Sequence, residues 1–141
     1  EEGGLPFVGA VLDPSGRPLS GHGVNRVAET GDPTAHAEIV ALREVISSHG
    51  PHALVGARLL ATGEPCGLCY RFALDHGIGE VIVAVDRDAV AAFGIDYRSS
   101  YAALDVTDKD RDRVLRLLEV PRAEDPFTRF THPSPAKGRT S

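Results

Sequence analysis

Two short motifs, H-A-E at residues 36–38 and P-C-G-L-C at residues 65–69, constrain the fold of this chain more than any other feature. If a helix begins near Cys66, the thiols of Cys66 and Cys69 lie on one face of its first turn. Zinc prefers sulfur and imidazole ligands, and His36 can supply the third ligand. The fold must therefore bring two separate helix starts to one point.

The ligand number indicates a catalytic metal. Three protein ligands leave one tetrahedral position open, so we expect one Zn²⁺ per chain with a bound water or hydroxide. Glu38 falls inside the apolar arc of the following helix, and we assign this buried carboxylate the transfer of protons. A redox pair is the alternative for Cys66 and Cys69, but it leaves the H-A-E motif without a role.

The length indicates one domain, which the motifs make zinc-dependent, over residues 1–131. The composition of residues 132–141 indicates a polar tail. The longest apolar run, Val81–Val85, is too short to cross a membrane, and the acidic start is unlike a secretory signal. We therefore expect a cytoplasmic protein. The formal net charge of −5 favours a small-molecule partner over a nucleic acid.

The apolar patterns predict strands and helices in alternation. Residues 7–12 and 19–27 are expected to form a β-hairpin, and residues 35–48 a helix. A strand over 57–62, a helix from Cys66 to a glycine cap at Gly77, and a strand covered on both faces over 81–85 follow. Residues 88–93 fit a short helix, and Val114–Val120 fits either a strand or a helical turn. This order is typical of an α/β sheet.

The runs D-P-T-A-H-A-E-I at 32–39 and E-P-C at 64–66 resemble the cytidine deaminase-like superfamily. They are most similar to its branch of bacterial guanine deaminases, tRNA adenosine deaminases and yeast-type cytosine deaminase. The resemblance extends from about Pro6 to Val85. It implies a three-layer α/β fold, with a central mixed sheet flanked by helices and a further helix before the first strand. It also implies a homodimer.

The resemblance further assigns three residues to substrate binding. The F-G-I-D run at 93–96 and the Ser100-Tyr101 pair are similar to stretches of the guanine deaminases, which places base recognition on Asp96. Asn25 matches an asparagine that hydrogen-bonds the substrate, and the backbone around Glu64 matches one that positions the amino group. Asp96 and Asn25 are also typical turn residues, which is the alternative for each.

These assignments predict hydrolytic deamination of a free purine base, with guanine first, and release of ammonia. The alternatives are a tRNA or nucleic-acid adenosine deaminase, a cytosine or pyrimidine nucleoside deaminase, and a zinc-fold binding protein without activity. The chain departs from the family in Tyr70-Arg71-Phe72 after the second cysteine and in a shortened C-terminal segment. Both departures lie near the expected substrate pocket.

Overall fold

A computed structural model describes residues 7–131, and side chains to residue 128. The described part contains a five-stranded sheet whose strands are β1 (Val8–Leu12), β2 (Gly23–Val24), β3 (Arg58–Gly63), β4 (Glu80–Val85) and β5 (Leu115–Leu117). A 3₁₀ turn spans Pro51–Leu54, and the helices are α1 (Val27–Thr30), α2 (Ala37–His49), α3 (Gly67–Asp75), α4 (Arg87–Ala92), α5 (Ser99–Ala103), α6 (Asp108–Val114) and α7 (Asp125–Thr131). The expectations for the tail at 132–141 lie outside the described residues.

The sheet is mixed, with strand order β2-β1-β3-β4-β5. β1 runs antiparallel to β2 and β3, whereas β3, β4 and β5 are parallel to one another. Parallel neighbours need long crossover connections, and here α3 joins β3 to β4 while α4, α5 and α6 lie between β4 and β5. The predicted α/β architecture is confirmed.

The core lies where α2 and the sheet meet. Leu42 and Val45 on α2 are fully buried with Val11 of β1 and Leu59 of β3. These residues recur at helical spacing on α2 and on alternate positions of the strands, as burial of one face requires. β4 follows the same alternation, with Val81, Val83 and Val85 buried and the residues between them partly exposed. One face of this strand is buried and the other is covered in part, where Ala84 packs against the cluster of Val85, Val90 and Phe127.

The second half of the predicted hairpin is shorter than expected. Within residues 19–27, the strand that pairs with β1 consists of Gly23 and Val24, and helix α1 begins at Val27. α2 crosses so closely that a Cβ on Gly23 would lie 2.5 Å from the carbonyl oxygen of Ala37. The Asn25 side chain then accepts a hydrogen bond from the Val27 N–H at 3.1 Å, which turns the chain out of the strand.

Helix boundaries differ from the predictions by one or two residues at the two motifs. α2 starts at Ala37 rather than 35, and α3 starts at Gly67 rather than Cys66. Gly77 follows α3 with φ of 84°, as a glycine beyond a helix end commonly does. The ambiguous segment from Val114 divides, because α6 ends there and residues 115–117 join the sheet as β5. No helix of the described residues is long and apolar enough to span a membrane.

Candidate active site

His36 and Cys66 occupy the same position in their helices. His36 is the N-cap of α2 and Cys66 is the N-cap of α3, and both have extended backbone angles. An N-cap side chain lies outside the helical rotation, so His36 and Glu38 can approach one site although they are only two residues apart. The free N–H groups and dipoles of both helix starts stabilise negative charge on the thiols between them.

The three potential ligands form a compact triangle. His36 Nδ1 is 3.5 Å from Cys66 Sγ and 3.4 Å from Cys69 Sγ, and the two sulfur atoms are 3.7 Å apart. Usual zinc–sulfur and zinc–nitrogen bond lengths at tetrahedral angles give edges of about 3.8 Å between sulfurs and about 3.5 Å between sulfur and nitrogen. The triangle thus has the size and the donor types of a zinc site. His36, Cys66 and Cys69 are placed to bind the metal, as the sequence predicted.

Without the ion, these three groups share protons. Hydrogen bonding from Cys69 lowers the pKa of the Cys66 thiol to about 4, with a further contribution from His36. The same hydrogen bond, together with burial, raises the pKa of Cys69. The contact with Cys66 also raises the pKa of His36. Metal binding must release the protons that Cys69 and His36 hold, so zinc affinity should increase with pH.

Glu38 lies beside the triangle and is 4% exposed. Its Oε1 atom is 3.5 Å from Cys69 Sγ. Burial raises the pKa of this carboxyl group to about 7. A group that gains and loses a proton near neutral pH, next to a metal position, has the properties of a general acid and base.

A cavity of about 120 Å³ opens next to Glu38, His36 and Cys66. Its remaining lining residues are mostly apolar or aromatic: Phe7, Asn25, Ala37, Glu64, Ile95 and Tyr97. None of these described lining residues is Lys or Arg. Cavities of about 150 Å³ in other proteins hold one benzene molecule, so this space suits a flat heterocycle.

Asn25 lies in the cavity wall, where the resemblance placed it. Its Oδ1 atom already accepts the hydrogen bond from Val27. This contact fixes the amide plane and leaves the NH₂ group as the donor that Asn25 can offer a ligand. The role of Asn25 in substrate binding stays a prediction.

The structure does not bring Asp96 to the cavity. Its carboxylate is 52% exposed and is held by Arg98, with Oδ2 2.9 Å from Nη2. The neighbouring side chains of Ile95 and Tyr97 line the cavity instead. The role in base recognition predicted for Asp96 is not tested, and this placement does not favour it.

Glu64 contributes to the cavity, but its carboxylate binds other protein groups. The side chain is fully buried and accepts hydrogen bonds from Tyr70 Oη at 2.7 Å and the Arg87 N–H at 2.8 Å. Arg111 from α6 pairs with the same carboxylate. Sequence reasoning missed Arg111, because a lone arginine in a polar helix is typical of an exposed position. The predicted role of the Glu64 backbone toward an amino group is not tested by these contacts.

The mixed sheet and the donor triangle together define a zinc-binding domain of the deaminase class. Residues 2–85 match the family model described as the cytidine and deoxycytidylate deaminase zinc-binding region. The match covers more than half of the chain, and the protein belongs to this family.

Proteins similar to this chain have different activities. The chain is 43% identical over 101 residues to tRNA(Ile)-lysidine synthase of Thermus thermophilus, covering 70% of this chain and 18% of the synthase. It is 36% identical over 87 residues to the tRNA-specific adenosine deaminase of Haemophilus influenzae, covering 62% of this chain and 50% of that enzyme. The chain thus spans less than a fifth of the length of the synthase it matches.

Guanine deaminase of Bacillus subtilis is similar over a larger share of its own length. It is 32% identical over 108 residues, which is 77% of this chain and 68% of that enzyme. Its solved structure superposes with a TM-score of 0.64 at 25% identity, covering 96% of this chain and 85% of that chain. This similarity confirms the predicted cytidine deaminase-like fold.

Proposed function

We propose that this protein is a hydrolytic deaminase of a free purine base, with guanine as the first substrate to test. The observation that carries the proposal is the cavity that lies beside Glu38 and the triangle of His36, Cys66 and Cys69. It has the size of a heterocyclic base, and its described wall contains no cationic side chain that would bind phosphate. The similarity to guanine deaminase over most of both chains supports the same substrate class.

Zinc, when bound by His36, Cys66 and Cys69, supplies a Lewis acid that lowers the pKa of water toward neutrality. The residues of the chain provide the proton transfers. Glu38, with a pKa raised to about 7 by burial, accepts a proton from water and delivers protons to the ring nitrogen and the departing amine. Water and the purine are thereby converted to ammonia and the oxo base.

Asn25 and the aromatic wall orient the base in this proposal. The Asn25 amide donates a hydrogen bond to an acceptor on the edge of the base. Phe7 and Tyr97, which contact each other edge to face with ring centroids 6.1 Å apart, form one aromatic wall against which the base packs. The backbone carbonyl oxygen of Glu64 remains the proposed acceptor for the amino group. It also accepts a hydrogen bond from the Tyr97 hydroxyl.

An ammonia-release assay tests the proposal. Zinc-loaded protein is incubated with guanine, adenine, cytosine, their nucleosides and unmodified tRNA, and ammonia is quantified. We expect turnover of guanine by the wild-type protein, and strongly reduced turnover by Glu38→Gln with its zinc retained. Glu44→Gln, an exposed change on the same helix, is the matched control. No guanine turnover, or a fully active Glu38→Gln variant, would contradict the proposal.

A tRNA adenosine deaminase is the second candidate, favoured by the 36% identity with the Haemophilus influenzae enzyme. It predicts inosine formation in tRNA and no turnover of free guanine. The net charge of −5 and the cavity wall without described cationic residues favour the free base. Inosine detected in tRNA by nuclease digestion and chromatography would decide for this second candidate.

We also propose the homodimer that the resemblance implied. Leu117 and Leu118, at and just after the edge strand β5, are 58% and 46% exposed. Exposed apolar side chains at a sheet edge are typical of an association surface. Light scattering after size-exclusion chromatography should give twice the mass of the chain, and the Leu118→Lys variant should shift the mass toward the monomer.

A further inference from the structure

Two side-chain hydroxyl groups bind the peptide groups on either side of Cys66. The Tyr101 hydroxyl donates to the carbonyl oxygen of Pro65, which belongs to the peptide bond entering Cys66. The N–H of Gly67, in the peptide bond leaving Cys66, donates to Ser100 Oγ at 2.8 Å. Adjacent residues of α5 thus hold both peptide planes that determine the backbone rotation at this ligand.

Both hydroxyl groups are themselves held in place. Ser100 Oγ donates to the Tyr97 carbonyl oxygen at 2.6 Å, so it uses its proton and accepts from Gly67 at the same time. Tyr101 is 4% exposed, with the Arg87 guanidinium 4.5 Å from its ring centroid and the Tyr70 ring edge-on at 5.6 Å. Packing, rather than solvent, determines where these two hydroxyl groups lie.

The approach of the two segments leaves no space for adjustment. A Cβ on Gly67 would lie 2.3 Å from the carbonyl oxygen of Ser100, which is closer than non-bonded carbon and oxygen atoms approach each other. Glycine at position 67 therefore allows the backbone of α5 to touch the backbone of the cysteine loop. A shift of α5 moves the peptide groups around Cys66 with it.

We infer that Ser100 and Tyr101 are positioning residues for the metal site, because they fix the backbone on both sides of Cys66 and so place its sulfur relative to His36 and Cys69. Metal–ligand distances in established sites agree with their usual values to within about 0.2 Å, so the position of each ligand matters. Partners that hold a ligand in place typically change metal affinity by roughly 10- to 100-fold when removed. The inference rests on the proposed function only because both require zinc to bind at this site.

The test uses Ser100→Ala and Tyr101→Phe, each of which removes one hydroxyl group, with exposed Ser99→Ala as the matched control. Zinc dissociation constants are measured by competition with a chromophoric chelator. Cobalt is then substituted, and the thiolate-to-cobalt charge-transfer band is recorded. We expect a roughly 10- to 100-fold weaker affinity and a changed band for both variants, and wild-type values for Ser99→Ala.

A merely structural role gives a different result. A loss of stability that the metal-free and zinc-loaded forms share cancels in the dissociation constant. Wild-type affinity and a wild-type cobalt band in both variants would therefore overturn the inference, even with reduced thermal stability. If far-UV circular dichroism shows that one variant is unfolded, the other decides. Failure of the deaminase proposal is separate, since it appears as missing substrate turnover by a wild-type protein that binds zinc.

Discussion

The guanidinium of Arg111 lies against the fully buried carboxylate of Glu64, with Nη2 3.0 Å from Oε1. The two residues are 47 positions apart, and Glu64 directly precedes the second metal-binding motif. Tyr70 and the Arg87 N–H complete the hydrogen bonding of the same carboxylate. A buried charge that is paired and fully hydrogen-bonded is tolerated, whereas an unpaired one is not.

Arg111→Met should therefore destabilise the protein by about 3–5 kcal/mol, because it leaves the Glu64 charge buried without its partner. The free energy of unfolding in urea measures the loss. Arg113→Met is the matched control, since the Arg113 side chain is 63% exposed and 3.7 Å from Asp110. The control should change stability by less than about 1 kcal/mol. Equal losses for the two variants would contradict a structural role for the Glu64–Arg111 pair.

The stability of the metal-free protein should depend on the ionisation of Glu38. Its pKa is about 7 in the folded state against 4.5 for an ordinary glutamate, so the unfolded chain loses this proton first as pH rises. The folded state is then destabilised increasingly between about pH 4.5 and pH 7, by up to about 3 kcal/mol. Glu38→Gln removes this penalty.

Urea unfolding of chelator-treated protein checks the sign. Glu38→Gln and wild type should have similar stability at pH 4, and Glu38→Gln should be more stable at pH 8. The Glu44→Gln control should follow the wild-type curve at both pH values. A wild-type protein that gains stability relative to Glu38→Gln above pH 7 would show that this carboxylate is not desolvated.

Zinc should stabilise the folded protein, by an amount that increases with the logarithm of the free zinc concentration above the dissociation constant. At a free zinc concentration 100 times the dissociation constant, the gain is about 2.7 kcal/mol, which thermal unfolding with and without chelator detects. Cys69→Ala should abolish the gain. His76→Ala should retain it, because His76 Nδ1 contacts the Phe72 carbonyl oxygen at 2.8 Å and its ring stacks on Phe72. A zinc-dependent gain that survives in Cys69→Ala would contradict the ligand assignment.

Replacing the cavity wall should affect substrate use more than replacing Asp96. Tyr97→Ala removes an aromatic ring that faces the cavity, and base–aromatic contacts contribute about 1–3 kcal/mol, so kcat/KM should fall roughly 10- to 100-fold. Asp96→Asn alters an exposed carboxylate and should leave kcat/KM for guanine close to wild type. A loss with Asp96→Asn as large as that with Tyr97→Ala would restore the assignment made from the sequence.

Local patterns predicted the elements that carry the metal. The start of α2 at the H-A-E motif and the start of α3 at the P-C-x-x-C motif follow from turn residues and apolar spacing within a few positions. The strand over 19–27 is shorter than predicted, because the Asn25 side chain accepts a hydrogen bond from the Val27 N–H and turns the chain after Val24. The close approach of α2 to Gly23, by contrast, involves a separate helix, and the apolar periodicity of residues 19–27 does not predict it.

The sequence by itself determined the zinc ligands His36, Cys66 and Cys69 and the burial of Glu38, because donor type, spacing and amphipathic position are encoded within single helix turns. Only the tertiary structure decided which groups surround them. Arg111 pairs with Glu64, and α5 holds the peptide groups around Cys66, across separations of 33 to 47 residues. Such contacts arise from packing of distant segments, and no local pattern of residues records them.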